Sequence, residues 1–372
     1  MHTTKSLDIP ARKEFLPADL SQTPQVNALL SALGLGHLDS GGVVSYPGRN
    51  KNWAGVTSSG RRVFVKQLDG RDREGRARLE RAVSFEQVRA GRVDTGPLSP
   101  PCLGWDESTC LMAFELLEEA ESGSDRAGHD DGFGADWCRR AGRMIAATHQ
   151  LPLQLSERTQ TTSAAFFPLG HFQALPLHTF SNSSRAELEA WALIQRDDEV
   201  IEALNRLHTA SVHVRRRPVH ADLRLDQFLI SQGHLYLSDW EEFRLADPAR
   251  DIGSFTGEWL HRAVLAATPD DAGAGLTRTG AVARMTAEIE RIRPRISAFW
   301  HGYREALDQT PAAGLEVRAT AYAGWHLYDR LLAGASQIPR LGAFSRAAAG
   351  IGRNIVLSAE RFTAAVGLGE IR

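Results

Sequence analysis

With 372 residues and 42% apolar composition, the chain is long enough to bury a sizeable core and is most simply read as two lobes. A formal charge of −2 excludes the global basic field that nonspecific binding to nucleic acid or to membranes requires. No apolar run approaches the roughly 18 residues of a membrane helix, the start of the chain lacks a signal-peptide core, and Cys102, Cys110 and Cys138 are scattered without metal-type spacing, so a cytoplasmic protein is expected.

Residues 1 to about 20 are polar and read as an arm, followed by a helix from Ser21 to Gly34 with Pro24 in its first turn and a glycine stop. From Gly41 the pattern changes to strands at 43–46, 53–57 and 62–68, separated by turns at 47–52 and 58–61. The third strand carries Lys66. Lys5, Lys13, Lys51 and Lys66 are the only lysines in a chain whose default cation is arginine, which makes Lys66 a weak pointer to a site that needs a compact ammonium. Residues 76–90 have helical period and carry Glu80 and Glu86.

A buried-looking strand at 109–117 leads into an acidic stretch that runs to about residue 134, and a helix at 137–150 ends near His149. Residues 151–185 are irregular. Ser184 and Glu187 form a capping-box start for a helix to about Leu207, and a triple arginine at 215–217 follows. Beyond Asp251 the chain reads as helices at about 252–268, 276–308, 314–335 and 343–365, with no repeat period.

The chemistry concentrates in His220-Ala-Asp222-Leu-Arg224-Leu-Asp-Gln227 and in Asp239-Trp-Glu. Between them, two short apolar runs flank Ser231-Gln-Gly-His and read as a hairpin. Such a hairpin holds Asp222 and Gln227 on the loop before it and Asp239 just after it. Two carboxylates and an amide oxygen make a hard-oxygen site suited to Mg²⁺ with nucleotide phosphates. Asp222 is then available to take a proton from an attacking hydroxyl.

The pattern resembles the protein-kinase-like phosphotransferases, in particular the aminoglycoside and choline kinase branch, with its catalytic loop H-x-D-x-x-x-x-N and its D-x-[DE] metal turn. His220, Asp222 and Asp239 match position for position, and Gln227 stands where that branch has Asn. The resemblance implies a bilobal α+β fold with a small β-rich N-lobe and a large helical C-lobe. The expected divisions are an arm and helix at 1–40, a nucleotide-binding lobe at 41–118 and a helical lobe at 119–372.

The resemblance further implies ATP and Mg²⁺ as cofactors, with Lys66 on the phosphates, Glu86 as its ion-pair partner and Glu80 as the second choice. The glycine-poor turn would supply Arg49, Asn50 and Asn52 to the phosphates, and the backbone near Glu115 to Leu117 would read adenine. Asp239 and Gln227 would hold the metal, Asp222 would be the base, and Arg224 would steady the phosphoryl group. In Asp247-Pro-Ala-Arg-Asp251, the second aspartate would brace the catalytic loop, which His220 also supports, and His149 would be structural.

The wording of the catalytic stretch, with Leu-Asp-Gln227 and Asp239-Trp-Glu-Glu-Phe-Arg, is most similar to the kinase subunits of class V lanthipeptide and thioamitide biosynthesis. That implies phosphorylation of Ser and Thr in a ribosomal precursor peptide, with a separate lyase subunit as partner. The alternatives are a small-molecule O-phosphotransferase of the aminoglycoside type, whose acceptor groove should be acidic, and a pseudokinase scaffold.

Overall fold

The computed structural model describes residues 16–39, 41–46, 50–68, 73–91, 96–129, 131–152, 167–267, 278–309 and 312–369. They divide into two compact units. One takes the amino-terminal part through Phe133 together with Asp226–Phe243, and the other takes the remainder. Strands dominate the first and helices the second. Glu121 pairs with Ile230 and Ser122 with Leu229, which keeps the acidic stretch in the first unit.

In the first unit β1 (Leu16–Pro17), β2 (Val44–Ser45), β3 (Lys51–Val56), β4 (Arg62–Gln67), β5 (Cys102–Asp106) and β6 (Leu111–Glu115) form one antiparallel sheet, in the order β1-β2-β3-β4-β6-β5. Side chains alternate across a strand, so β4 sends Val63 and Val65 to one face and Phe64 and Lys66 to the other. Val63 and Val65 are fully buried against Leu29 and Leu30 of helix α1 (Pro24–Ala32), with Trp53, Leu111 and Ala113. The helix expected at 21–34 therefore belongs to this unit's core. The opposite face places Met112 and Leu68 against Leu79 and Ala82 of helix α2 (Arg73–Ala90).

The expected hairpin pairs Phe228–Ser231 with His234–Leu237. Gln232 and Gly233 have φ of 50° and 78°, so both turn residues are left-handed, the condition for a two-residue turn that matches strand twist.

The second unit contains α3 (Ala135–His149), α4 (Arg185–Gln195), α5 (Asp198–His213), α6 (Ala249–Ala266), α7 (Arg278–Glu305), α8 (Leu315–Ala335) and α9 (Ala343–Leu357). The helix expected to run unbroken from Ser184 to Leu207 is two helices. The capping box at Ser184 and Glu187 is present, but Asp197 accepts the Val200 N–H and starts a new helix. Helices α3 and α7 approach closely through two glycines. A Cβ at Gly142 would lie 2.0 Å from the Phe299 carbonyl oxygen, and one at Gly302 would lie 2.1 Å from that of Arg139. Helix α6 packs along α8, and the strand pair Arg217–Val219 with Arg244–Ala246 flanks the loop that begins at His220. Among the described residues no helix is long and apolar enough to cross a membrane.

Candidate active site

In the first unit the site is built around Lys66. Strand β4 projects it onto the α2 face of the sheet, where its ammonium binds the Asp239 carboxylate and, at 2.8 Å, Glu241 Oε2. Asp239 leaves the hairpin with φ of 70° and is followed by a single 3₁₀ turn, Trp240–Glu242, so it and Glu241 both reach Lys66. A non-glycine residue in this conformation costs energy unless its surroundings hold it, which is a common mark of functional turns. Asn50 donates to Glu241 Oε2 at 2.9 Å, adding a third group to the cluster.

The electrostatics follow from burial and mutual charge. Burial alone would lower the Lys66 pKa, but the charges and hydrogen bonds of Asp239 and Glu241 override it and hold the ammonium more firmly protonated than an ordinary lysine. Glu241 is raised, first by burial and then by the like charge of Asp239, with Lys66 opposing both. Gln227 is buried at 3% exposure, and its backbone carbonyl accepts the Ser238 N–H and hydroxyl, both at 3.0 Å. The hairpin closure thus places Gln227 beside the residue preceding Asp239.

Helix α2 grips the same turn. Arg81 Nε donates to the Glu241 carbonyl at 2.7 Å, and its Nη2 donates to Glu242 Oε1 at 3.2 Å. Arg78 reaches the same carboxylate oxygen at 3.4 Å. The Phe85 ring stacks on Trp240 with centroids 3.6 Å apart.

In the second unit Asp251, fully buried on α6, organises the catalytic loop. Its two carboxylate oxygens accept the backbone N–H groups of His220 and Ala221, each at 2.8 Å. His149 Nε2 lies 3.1 Å from Oδ2 of Asp251, and His149 Nδ1 lies 3.0 Å from the Tyr303 hydroxyl. Burial would raise the Asp251 pKa, but the hydrogen bond and charge of His149, with the backbone donors, hold it below the ordinary carboxylate value. The loop so fixed carries Ala221 at φ 74° and then Asp222, whose Oδ2 accepts Arg224 Nη1 at 2.6 Å. Asp247 accepts the Ala249 N–H at the start of α6 and a two-point contact from Arg318.

The two halves carry the parts a phosphotransferase needs: a lysine set among carboxylates in one, and a braced aspartate beside an arginine in the other. The sequence matches the phosphotransferase enzyme family over residues 49–285. The chain belongs to that family.

Among solved structures, this phosphotransferase is similar to choline kinase LicA from Streptococcus pneumoniae, with 15% identity, 91% of this chain and 99% of that chain covered, and a TM-score of 0.51. A choline/ethanolamine kinase family protein from Mesorhizobium loti gives 17%, 93%, 99% and 0.52. Amicoumacin kinase hAmiN, in complex with AMP-PNP, Ca²⁺ and Ami, gives 14%, 89%, 92% and 0.53. At such identities the likeness is one of fold, and the fold is kinase-like, with a β-sheet amino-terminal region and a helical carboxy-terminal region. No curated protein sequence matches the chain.

Several expected site residues take other places in this phosphotransferase. Glu86 does not meet Lys66; it is paired with Arg89 three residues along its own helix, at 2.8 Å, and Glu80 is exposed. Glu241 occupies the partner position instead, and the sequence signal for it is the second acidic residue of the D-x-[DE] turn. Asn52 does not offer its side chain outward: the amide is buried, accepts the Tyr46 N–H and donates to the carbonyls of Tyr46 and Asn50. Arg49 lies outside the described residues. The Glu115 N–H is taken by the Pro101 carbonyl and that of Leu116 by the Arg62 carbonyl.

Asp251 also yields a stability prediction. An Asp251→Asn substitution sets an amide donor against donors in a fully buried position, which should cost about 3 kcal/mol in chemical denaturation of the phosphotransferase. Because the wild-type carboxylate is depressed, its contribution is complete above the ordinary carboxylate value and is lost as pH falls below that value and through the lower native one. The difference between wild type and variant should therefore narrow on acidification. An equal difference at neutral and acid pH would contradict the charge assignment.

Proposed function

We propose that this phosphotransferase uses ATP and Mg²⁺ to phosphorylate Ser and Thr hydroxyls of a ribosomal precursor peptide in the cytoplasm, and that a separate lyase then eliminates phosphate to leave dehydroamino acids. Phosphate is a good leaving group where hydroxyl is a poor one, which is the chemical reason for such a two-step dehydration.

On this reading Asp239, Glu241 and the Gln227 amide would hold the metal, a hard-oxygen donor set that fits Mg²⁺. When bound, Mg²⁺ supplies neutralisation of charge on the nucleotide phosphates. Lys66 and Asn50 bind the phosphates, exchanging part of their contact with Glu241 for phosphate oxygen. Asp222 orients the acceptor hydroxyl and takes its proton. Arg224 leaves Asp222 to meet the charge that grows on the phosphoryl oxygens.

The observation that favours a peptide over a polycationic antibiotic is the charge balance next to the catalytic loop. Arg224 lies within electrostatic reach of Asp329 and Arg330. There Asp329 binds Arg330 at 2.8 Å, and Glu258 is hydrogen-bonded to His326 at 3.0 Å. Glu258 is buried, which would raise its pKa, yet the hydrogen bond and charge of His326 pull it down to about 2. An acceptor with several ammonium groups would meet compensated carboxylates rather than an acidic groove.

The second reading, a small hydroxylated acceptor, is favoured by the choline and amicoumacin kinases among the structural neighbours. Intact-mass analysis of a precursor peptide from the same operon, incubated with the protein, ATP and Mg²⁺, separates the two. A phosphate-sized gain that becomes a water loss when the candidate lyase is added is the expected result. No change in the peptide, together with phosphorylation of a small alcohol, would overturn the peptide reading.

A further inference from the structure

In this protein the helix that follows the phosphate lysine is joined to the site through the metal turn and not through the lysine. We propose that Arg81 is a positioning residue that ties α2 to the Asp239–Glu242 turn and thereby sets metal affinity. The inference rests on the reading of Asp239 and Glu241 as the metal carboxylates.

Three residues on one face of α2 carry it. Arg78, Arg81 and Phe85 are three and four residues apart and so share a stripe of the helix. All three meet the same three-residue turn: Arg78 and Arg81 at Glu242, Arg81 also at the Glu241 carbonyl, and Phe85 at Trp240. Arg81 is 6% exposed and spans two acceptors on successive residues with Nε and Nη2, two N–H groups held at fixed spacing on one rigid plane.

The Glu241 carbonyl is the atom that matters. The residue that offers this carbonyl to Arg81 offers its carboxylate to Lys66 and Asn50, so fixing one end of Glu241 aims the other. The turn begins at a left-handed Asp239, a conformation that persists only where neighbours over-determine it. Arg81 and Glu242 provide that restraint from outside the metal set. Meanwhile Glu86, the carboxylate that could have linked α2 to Lys66, is occupied by Arg89. The position of α2 is thus communicated to the two carboxylates and reaches Lys66 only through them.

The test is binding of AMP-PNP by calorimetry, with Mg²⁺ titrated and in EDTA, on the full chain. In Arg81→Met the Mg²⁺ concentration for half-maximal tightening should rise about tenfold, with binding in EDTA changed less than about threefold. Arg81→Lys should recover part of the effect, because it restores the charge without the planar fork that holds both acceptors at fixed spacing. Glu242→Gln, which leaves the Arg81 bond to the Glu241 carbonyl in place, should shift the requirement severalfold and carries the test if Arg81→Met fails to fold.

Leu29→Ala, a core truncation at α1 on the other face of the sheet, serves as the control for general destabilisation and should leave the Mg²⁺ requirement unchanged. A wild-type requirement in both Glu242→Gln and either Arg81 variant overturns the proposal, as does an equal shift in Leu29→Ala. If AMP-PNP binding by the wild type does not tighten with Mg²⁺ at all, the metal reading itself falls, and the proposal with it.

Discussion

Asp222→Asn should lower kcat for phosphoryl transfer by about a thousandfold while leaving nucleotide affinity within about twofold. The substitution keeps the size and planarity of the side chain and removes its ability to take a proton. It also weakens the 2.6 Å contact with Arg224 from a charge-assisted bond to a neutral one. The loop beneath it should not move, because its restraint comes from Asp251 on the N–H groups of His220 and Ala221. The effect therefore belongs in the chemical step and not in folding or nucleotide binding. Steady-state kinetics beside nucleotide titration check it. Turnover of the variant within tenfold of wild type would remove Asp222 from the role of base and leave it as a tether for Arg224.

What was legible in the sequence follows from which interactions are local. The alternation of Val63, Phe64, Val65 and Lys66 fixes which side chains share a face of the sheet, since strand period is set by the backbone itself. The hairpin at 228–237 was readable for a similar reason: Gln232 and Gly233 are a local turn signal flanked by two apolar runs. The brace from Asp251 was expected from the resemblance of Asp247-Pro-Ala-Arg-Asp251 to the D-P-A-x-D segment of the kinase branch, not from any local pattern.

Strand β5 was not readable. It follows a proline-rich lead, and its register shifts between Cys102 and Gly104, which breaks the alternation a strand call depends on. Nor was the partner of Lys66. Helical period shows that Arg78, Arg81 and Phe85 share a face and that Glu86 is turned about 100° from Phe85, but it does not say which face the sheet receives. That orientation is decided by Phe85 stacking on Trp240, a contact about 155 positions away in the chain, which no local pattern encodes. With α2 so turned, Glu86 pairs with Arg89, and Lys66 finds Glu241.

The same geometry makes Asp239→Asn the second large effect. Lys66 sits between two carboxylates, and the substitution removes the charge of only one, so the ammonium keeps Glu241 at 2.8 Å and the unit should remain folded with little loss of thermal stability. Glu241 itself should become easier to ionise. After burial, the like charge of Asp239 is the main reason its pKa is raised, and an amide exerts no such repulsion. The attraction lost between Lys66 and Asp239 is thus partly offset by relief of the repulsion between the two carboxylates. Metal binding has no such reserve, because an amide oxygen is a far poorer ligand for Mg²⁺ than a carboxylate and Glu241 still faces Lys66. Transfer should fall by about a thousandfold at an Mg²⁺ level that saturates the wild type, with partial recovery as Mg²⁺ is raised further. Kinetics over an Mg²⁺ series, with a melting curve for each protein, check both halves of the expectation. Turnover retained in Asp239→Asn with an unchanged Mg²⁺ dependence would move the metal site away from this turn and leave the Lys66 cluster as a structural ion pair.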